Sequence, residues 1–260
     1  MEIITSVQNQ WAAEARKLKQ KKFREEKGQF VAEGLRLAEE AAKAGVVQEV
    51  YYHETFGDTE RGAELLKTLS AGARRFFQVT AKVLDSLAET ETPQGIVCVC
   101  GQRRISVKDF APDKGLVLVA DGIQDPGNLG SILRTLWAAG GLGLICLSGT
   151  TDPYNGKCVR ASMGGIFHVP VFTDITWSGA ARWALDHGYT AVAAEAGGGM
   201  DYRRMKWPER ALLCIGNEAR GLLTIPADEV AEHVFIPLAE EAESLNAAVA
   251  AGILIFSSIN

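Results

Sequence analysis

DGIQDPGNLGSILRT, residues 121–135, carries an apolar strand into a helix through a loop of glycine, asparagine and aspartate. GLVLVADGI, which runs into it, reads as a buried strand, and GSILRTLWAAG reads as a helix with Ile132, Leu133, Leu136 and Trp137 on one face. In open α/β sheets, ligands sit beyond the carboxyl ends of strands. Gly127 and Gly130 permit a tight turn and close approach of a ligand to the backbone. A helix N-terminus there offers free N–H groups suited to a phosphate. Asn128 brings an amide that donates and accepts. Arg134, one turn into a helix beginning near Gly130, brings a planar cation able to grip phosphate as a fork. Taken singly, these two also read as a loop amide and a surface cation.

Two later stretches repeat the arrangement. IGNEARGL, residues 215–222, follows the apolar strand ALLCI, and Glu218 in it is placed to orient Arg134 or a substrate hydroxyl. IPLAEEAESLNAAVAAG, residues 236–252, joins the strand HVFIPLA to a helix running from Ser244 to the end. Ser244 is an N-cap candidate for that helix; Asn246, two residues on, is less readily explained by capping. A nicotinamide-binding Rossmann fold is the obvious competitor, but Gly127-Asn128-Leu129-Gly130 lacks the G-x-G-x-x-G spacing.

In this order the three stretches resemble the motifs of the SpoU/TrmH family of RNA ribose 2'-O-methyltransferases, within the SPOUT superfamily. The resemblance continues through KCVRASMGGIFHVPV and the N-terminal SVQNQWAAEARKLKQKKFREEKGQFVAEGLRL, so it covers most of the chain. It implies an α/β protein whose C-terminal, parallel-sheet SPOUT domain is tied in a trefoil knot, an exception to the rule against knots. A smaller N-terminal α/β substrate-binding domain, related to an RNA-binding ribosomal protein, precedes it. By motif, S-adenosylmethionine would be held at Gly216, Ile236 and Leu245. The catalytic set would fall on Asn128, Arg134, Glu218, Ser244 and Asn246, in a homodimer whose site is completed across the interface. The family proposal makes the motif-one arginine the base, but a guanidinium with a pKa above ~12 is a poor base. Arg134 is better read as anchoring the phosphate beside the target ribose. Two details depart from the usual pattern: Ala219 and Arg220 precede Gly221, and Glu240, Glu241 and Glu243 stand where a glycine is common.

At 260 residues the chain is comfortable for two domains, divided near residue 105 into 1–105 and 106–260. The first part reads as helices over 11–20, 35–44 and 81–89 and strands over 46–52, 76–80 and 95–100. A linker with Pro112 and Gly115 follows. Beyond it, HVPVF, YTAVAAEA, ALLCIGNE and HVFIPLA alternate with helices, the pattern of a parallel sheet. The net charge of −5 disfavours a polyanion partner, but its distribution does not. Residues 1–105 hold 16 Lys and Arg against 15 acids, whereas 106–260 hold 11 against 17. Arg16, Lys17, Lys19, Lys21, Lys22 and Arg24 form a basic run that reads either as a solvated helix face or as an arm for RNA.

The cysteines, Cys98, Cys100, Cys146, Cys158 and Cys214, contain no C-x-x-C pair and read as buried thiols of a cytoplasmic protein. No metal is expected, because His53, His168, His187 and His233 are scattered. No secretory signal is expected either, and the apolar run 247–256 is too short for a bilayer. The leading function is RNA 2'-O-methylation, on ribosomal RNA before transfer RNA. Its rivals are an RNA-binding or ribosome-assembly protein on a decayed methyltransferase fold and a SPOUT enzyme methylating a base nitrogen.

Overall fold

The computed structural model describes residues 3–103, 105–195, 197–242 and 244–259; Glu243 of the third motif lies outside the described residues. Two compact units are present: Met1–Arg104 with Tyr154–Phe167, and Ile105–Pro153 with His168–Asn260.

The first unit begins with β1 (Ile3–Ile4), α1 (Gln10–Lys17), α2 (Lys21–Lys27), β2 (Gln29–Glu33) and α3 (Leu35–Lys43). It continues with β3 (Val47–Tyr52), α4 (Glu60–Gly72), β4 (Arg75–Val79), α5 (Ala81–Leu87) and β5 (Ile96–Gly101). Its sheet runs β1-β4-β3-β5-β2, with β5 antiparallel to both neighbours. Alternating Val97 and Val99 pack with Tyr51, Phe77 and Leu84 on one core.

The second unit opens with β6 (Gly115–Asp121), α6 (Pro126–Ala138) and β7 (Gly143–Leu147). The chain then supplies α7 (Gly156–Ala161) and most of α8 (Gly165–His168) to the first unit. There Phe30 of β2 meets Tyr154 and Phe167 at ring-centroid distances of 5.0 and 5.8 Å, and Arg160 pairs with Glu89 at 3.0 Å. Back in the second unit come β8 (Val171–Ile175), α9 (Trp177–His187), β9 (Thr190–Glu195), β10 (Met200–Asp201), β11 (Arg210–Gly216), β12 (Glu232–Phe235) and α10 (Ala247–Ser257).

The second sheet has the order β10-β12-β9-β11-β6-β7-β8 and every pairing in it is parallel. Parallel strands buried on both faces need continuous apolar runs. Residues 116–121 and 211–215 are accordingly buried throughout. Each such Val or Leu contributes about 1.5–3 kcal/mol relative to exposure. The parallel α/β class expected from the sequence is the one found.

Several local expectations are corrected. α6 begins at Pro126, not near Gly130: Asp125 caps it, its carboxylate accepting the Asn128 N–H at 2.9 Å. Asn128 therefore stands in the first turn, and Arg134 about two turns into the helix rather than one. α10 is capped by Asn246, not Ser244. The basic run is two helices, and much of its charge is engaged by the protein. Arg24 is buried, and its guanidinium donates to the carbonyls of Leu18 and Lys19 at 2.8 and 2.9 Å, closing the end of α1. Arg16 donates to Val7 O at 3.0 Å and Lys19 to Ala88 O at 2.6 Å. Lys17 pairs with Glu14, Lys21 with Glu25, and Lys22 is exposed without a partner among the described residues.

All five cysteines are buried, and none is in a disulfide. Burial pushes the Cys98 thiol up to about 12 and raises Cys100, Cys146 and Cys214 as well.

Candidate active site at the carboxyl edge of the second sheet

Register brings the three motifs to one edge. Asp121, the last residue of β6, is the partner of Gly216, the last of β11. Across β9, Glu195 is level with Phe235, one residue before Ile236. The loops leaving β9, β11 and β12, with α10, surround a cavity of about 640 Å³, within the usual range of small-ligand sites. Gly216, Ile236 and Leu245 all line it, as do Glu218 and Ser244.

The second motif is held as a closed turn. Asn217 N donates to Gly221 O at 2.7 Å and Gly221 N returns to Asn217 O at 2.9 Å. The Asn217 side chain accepts from the Ala219 and Arg220 N–H groups and donates to Gly122 O at 3.0 Å. Gly122 has φ +73°, a left-handed backbone conformation that favours glycine. Asp121 is fully buried, and its carboxylate accepts from Leu223 N, Thr224 N and Thr224 Oγ1 at 2.6, 2.8 and 2.9 Å. That satisfies a charge which burial alone would disfavour. Neither Asp121 nor Asn217 stood in the sequence-derived site. Their signals were a lone acid closing a buried apolar strand and an Asx-turn residue after a strand.

Asn128, Glu218 and Asn246 are joined in a relay. Asn246 Nδ2 donates to Asn128 Oδ1 at 3.0 Å, and Asn128 Nδ2 donates to Glu218 Oε1 at 2.7 Å. The amide orientations follow from chemistry. Asn246 Oδ1 accepts from Ala248 N and Val249 N, so it must be the oxygen, leaving the nitrogen to donate. Asn128 must then accept with its oxygen and donate to the carboxylate. The first turn of α6 and the cap of α10 thus set the position of Glu218.

Arg134 is exposed, does not line the cavity and has no partner among the described residues. Glu218 takes the Asn128 amide and forms no ion pair with it. Ser244 is exposed at the cavity wall. Among the described residues, no group of three or more His, Cys, Asp or Glu is placed to hold a metal, and no helix is long and apolar enough to cross a membrane.

The relay separates capping from positioning, because aspartate also caps helices well. Asn246→Asp is expected to keep Tm within ~2 °C while losing the Nδ2 donor to Asn128. The turnover of the site should fall by roughly 10-fold, the scale of one hydrogen bond. Unchanged turnover would make Asn246 a cap and nothing more.

A cleft walled by three strand-end loops, with an oriented carboxylate beside it, defines an α/β protein built to act on a bound ligand. Residues 115–256 match the SpoU rRNA methylase family and residues 9–98 the MRM3-like substrate binding domain. The chain belongs to the SpoU rRNA methylase family. It is 32% identical to the 23S rRNA (guanosine(2553)-2'-O)-methyltransferase RlmP of Bacillus subtilis (strain 168), over 98% of each chain. An AdoMet-bound rRNA methyltransferase from Sinorhizobium meliloti superimposes with a TM-score of 0.88 at 33% identity, covering 99% of this chain and 97% of that one. The SpoU methyltransferase AviRb from Streptomyces viridochromogenes, in complex with AdoMet, has a TM-score of 0.86 at 28% identity over 97% of both chains.

Proposed function

We propose that this protein methylates a ribose 2'-hydroxyl of RNA with S-adenosylmethionine, and that its substrate is ribosomal RNA. The observation carrying the proposal is the Asn246–Asn128–Glu218 relay at a cavity walled by Gly216, Ile236 and Leu245. A protein that had kept only RNA binding would have no need of an oriented carboxylate there. The cavity suits the cofactor: among the described residues two carboxylates, Glu195 and Glu218, line it against one cation, Arg220, favouring a sulfonium and an ammonium. When bound, S-adenosylmethionine supplies an electrophilic methyl. The chain's own contributions are orientation and charge. Glu218, held by Asn128, accepts a hydrogen bond from the target hydroxyl; Ser244 borders the same space and Asn246 holds Asn128; Arg134 grips the adjacent phosphate. Alignment of this kind supplies a large part of a transfer rate.

In this reading the terminal segment threads as a trefoil knot and two copies form a homodimer. The outer face of α10 supports the pairing, since Val249 and Phe256 are 52% and 57% exposed, and Ile259 just beyond the helix is 45% exposed. A cytoplasmic setting agrees with five cysteines outside any disulfide. Mapping ribose methylation in total RNA with and without the gene tests the proposal; an unchanged methylation map would overturn it.

RNA capture is assigned to the first unit, with a revised set of contacts. Arg24 is excluded because it closes α1, and Arg16 and Lys19 are tied to carbonyls, which leaves Lys17, Lys21 and Lys22 as the cations at the surface. Reversing these three to glutamate should weaken RNA binding and reduce the slope of log affinity against log salt by about 2. Cofactor affinity should stay as it was. Titrations at several salt concentrations decide it; an unaltered slope makes the run a solvated face.

A further inference from the structure

Of the two carboxylates that the described residues bring to the cavity wall, only Glu218 has a part in the chemistry above. Glu195 ends β9 at the carboxyl edge of the sheet. Its Oε1 lies 2.7 Å from Nδ1 of His233 on β12, a tether that fixes the side chain. Among the described residues, no donor reaches Oε2. The chain passes it at Gly198, where a Cβ would stand 3.7 Å away. A carboxylate oxygen that a ligand covers must receive a donor from that ligand.

Sheet order indicates which part of the ligand that is. β6 feeds α6 and Asn128, and the order β9-β11-β6 sets Glu195 two strands away, about 10 Å at the usual strand spacing. Asn128 therefore approaches from the β6 side and Glu195 stands on the β9 side, with Glu218, which follows β11, between them. The reacting methyl belongs with the relay, so Glu195 meets a part of the cofactor that does not react. An acid at a strand's carboxyl end in a parallel sheet is suited to the paired hydroxyls of a nucleoside ribose. We infer that Glu195, tethered by His233, binds the ribose hydroxyls of the cofactor's adenosyl group. This assignment rests on the methyltransferase reading.

Calorimetry on the full chain with two probes tests it. S-adenosylhomocysteine carries both the adenosyl ribose and the amino-acid tail, whereas 5'-methylthioadenosine carries the ribose alone. Glu195→Gln, equal in size, should weaken both by a similar factor of about ten or more, the range of a charge-assisted hydrogen bond. His233→Gln, which loosens the tether but keeps the carboxylate, should weaken both by less. A loss confined to S-adenosylhomocysteine would overturn the ribose assignment in favour of the ammonium. Unchanged affinity for both probes in Glu195→Gln would remove Glu195 from the site. Failure of the methyltransferase reading itself would look different: the unaltered protein would bind neither probe, and the assignment would fall with it.

Discussion

Arg134→Ala lowers methyl transfer by at least ~10²-fold, the scale of losing one preorganised charge at a reacting group, and leaves cofactor affinity within about twofold. The expectation comes from what Arg134 does not do. It is exposed on α6, lies outside the cavity wall and has no partner among the described residues. Stability should move by no more than ~0.5 kcal/mol, as for an ordinary surface change. A guanidinium so placed keeps its whole fork for a phosphate. Arg134→Lys should rescue poorly, since a point charge cannot grip two oxygens. If the site is completed between two copies, protomers carrying Arg134→Ala should regain activity when co-assembled with protomers carrying Glu218→Gln. One site of that mixed pair then holds both native groups. Near-normal turnover of Arg134→Ala alone would take the residue out of the mechanism.

The elements most legible in the sequence were those with their pattern written locally. β6 and β11 are apolar runs between turn residues, and a parallel sheet follows from their alternation with helices. The start of α6 was written locally too, since Asp125-Pro126 is a cap followed by a proline at N1. The glycines that follow drew the expected boundary too late. α4 went unread although Thr59 and Glu60 announce it, Thr59 Oγ1 accepting the Gly62 N–H. Side-chain destinations were less accessible. Seven cations within residues 11–30 suggested an arm, but a count does not reveal that the Arg24 guanidinium turns inward to two carbonyls. The packing of 154–167 on the first unit depends on Phe30, more than a hundred residues away. No local periodicity encodes that contact. The motifs named Asn128, Glu218 and Asn246 together, while their order in the relay depends on three distant segments meeting in space, which no local pattern encodes.

Gly216→Ala is expected to abolish cofactor binding, and the direction of the missing Cβ gives the reason. Gly216 lines the cavity, which invites the view that a larger side chain would simply fill it. A Cβ at Gly216 would instead stand 2.2 Å from Gly221 C, 2.3 Å from Gly221 O and 2.5 Å from Leu222 N. All three are backbone atoms, so no rotamer can yield. The turn must open, and opening it breaks the paired Asn217–Gly221 hydrogen bonds at 2.7 and 2.9 Å. The loop carrying Glu218 then loses its closure. Overpacking of this kind costs roughly 1–3 kcal/mol, or a few degrees in Tm for a domain of this size. The fold should survive while the cavity wall does not. Calorimetry with S-adenosylhomocysteine should find binding weaker by at least ~10²-fold, about 2.7 kcal/mol, in Gly216→Ala and Gly216→Val alike. Damage that grows with side-chain size, with alanine near normal, would mean that the residue acts by filling space in the cavity. Equal damage from a single methyl assigns it to the closure of the turn.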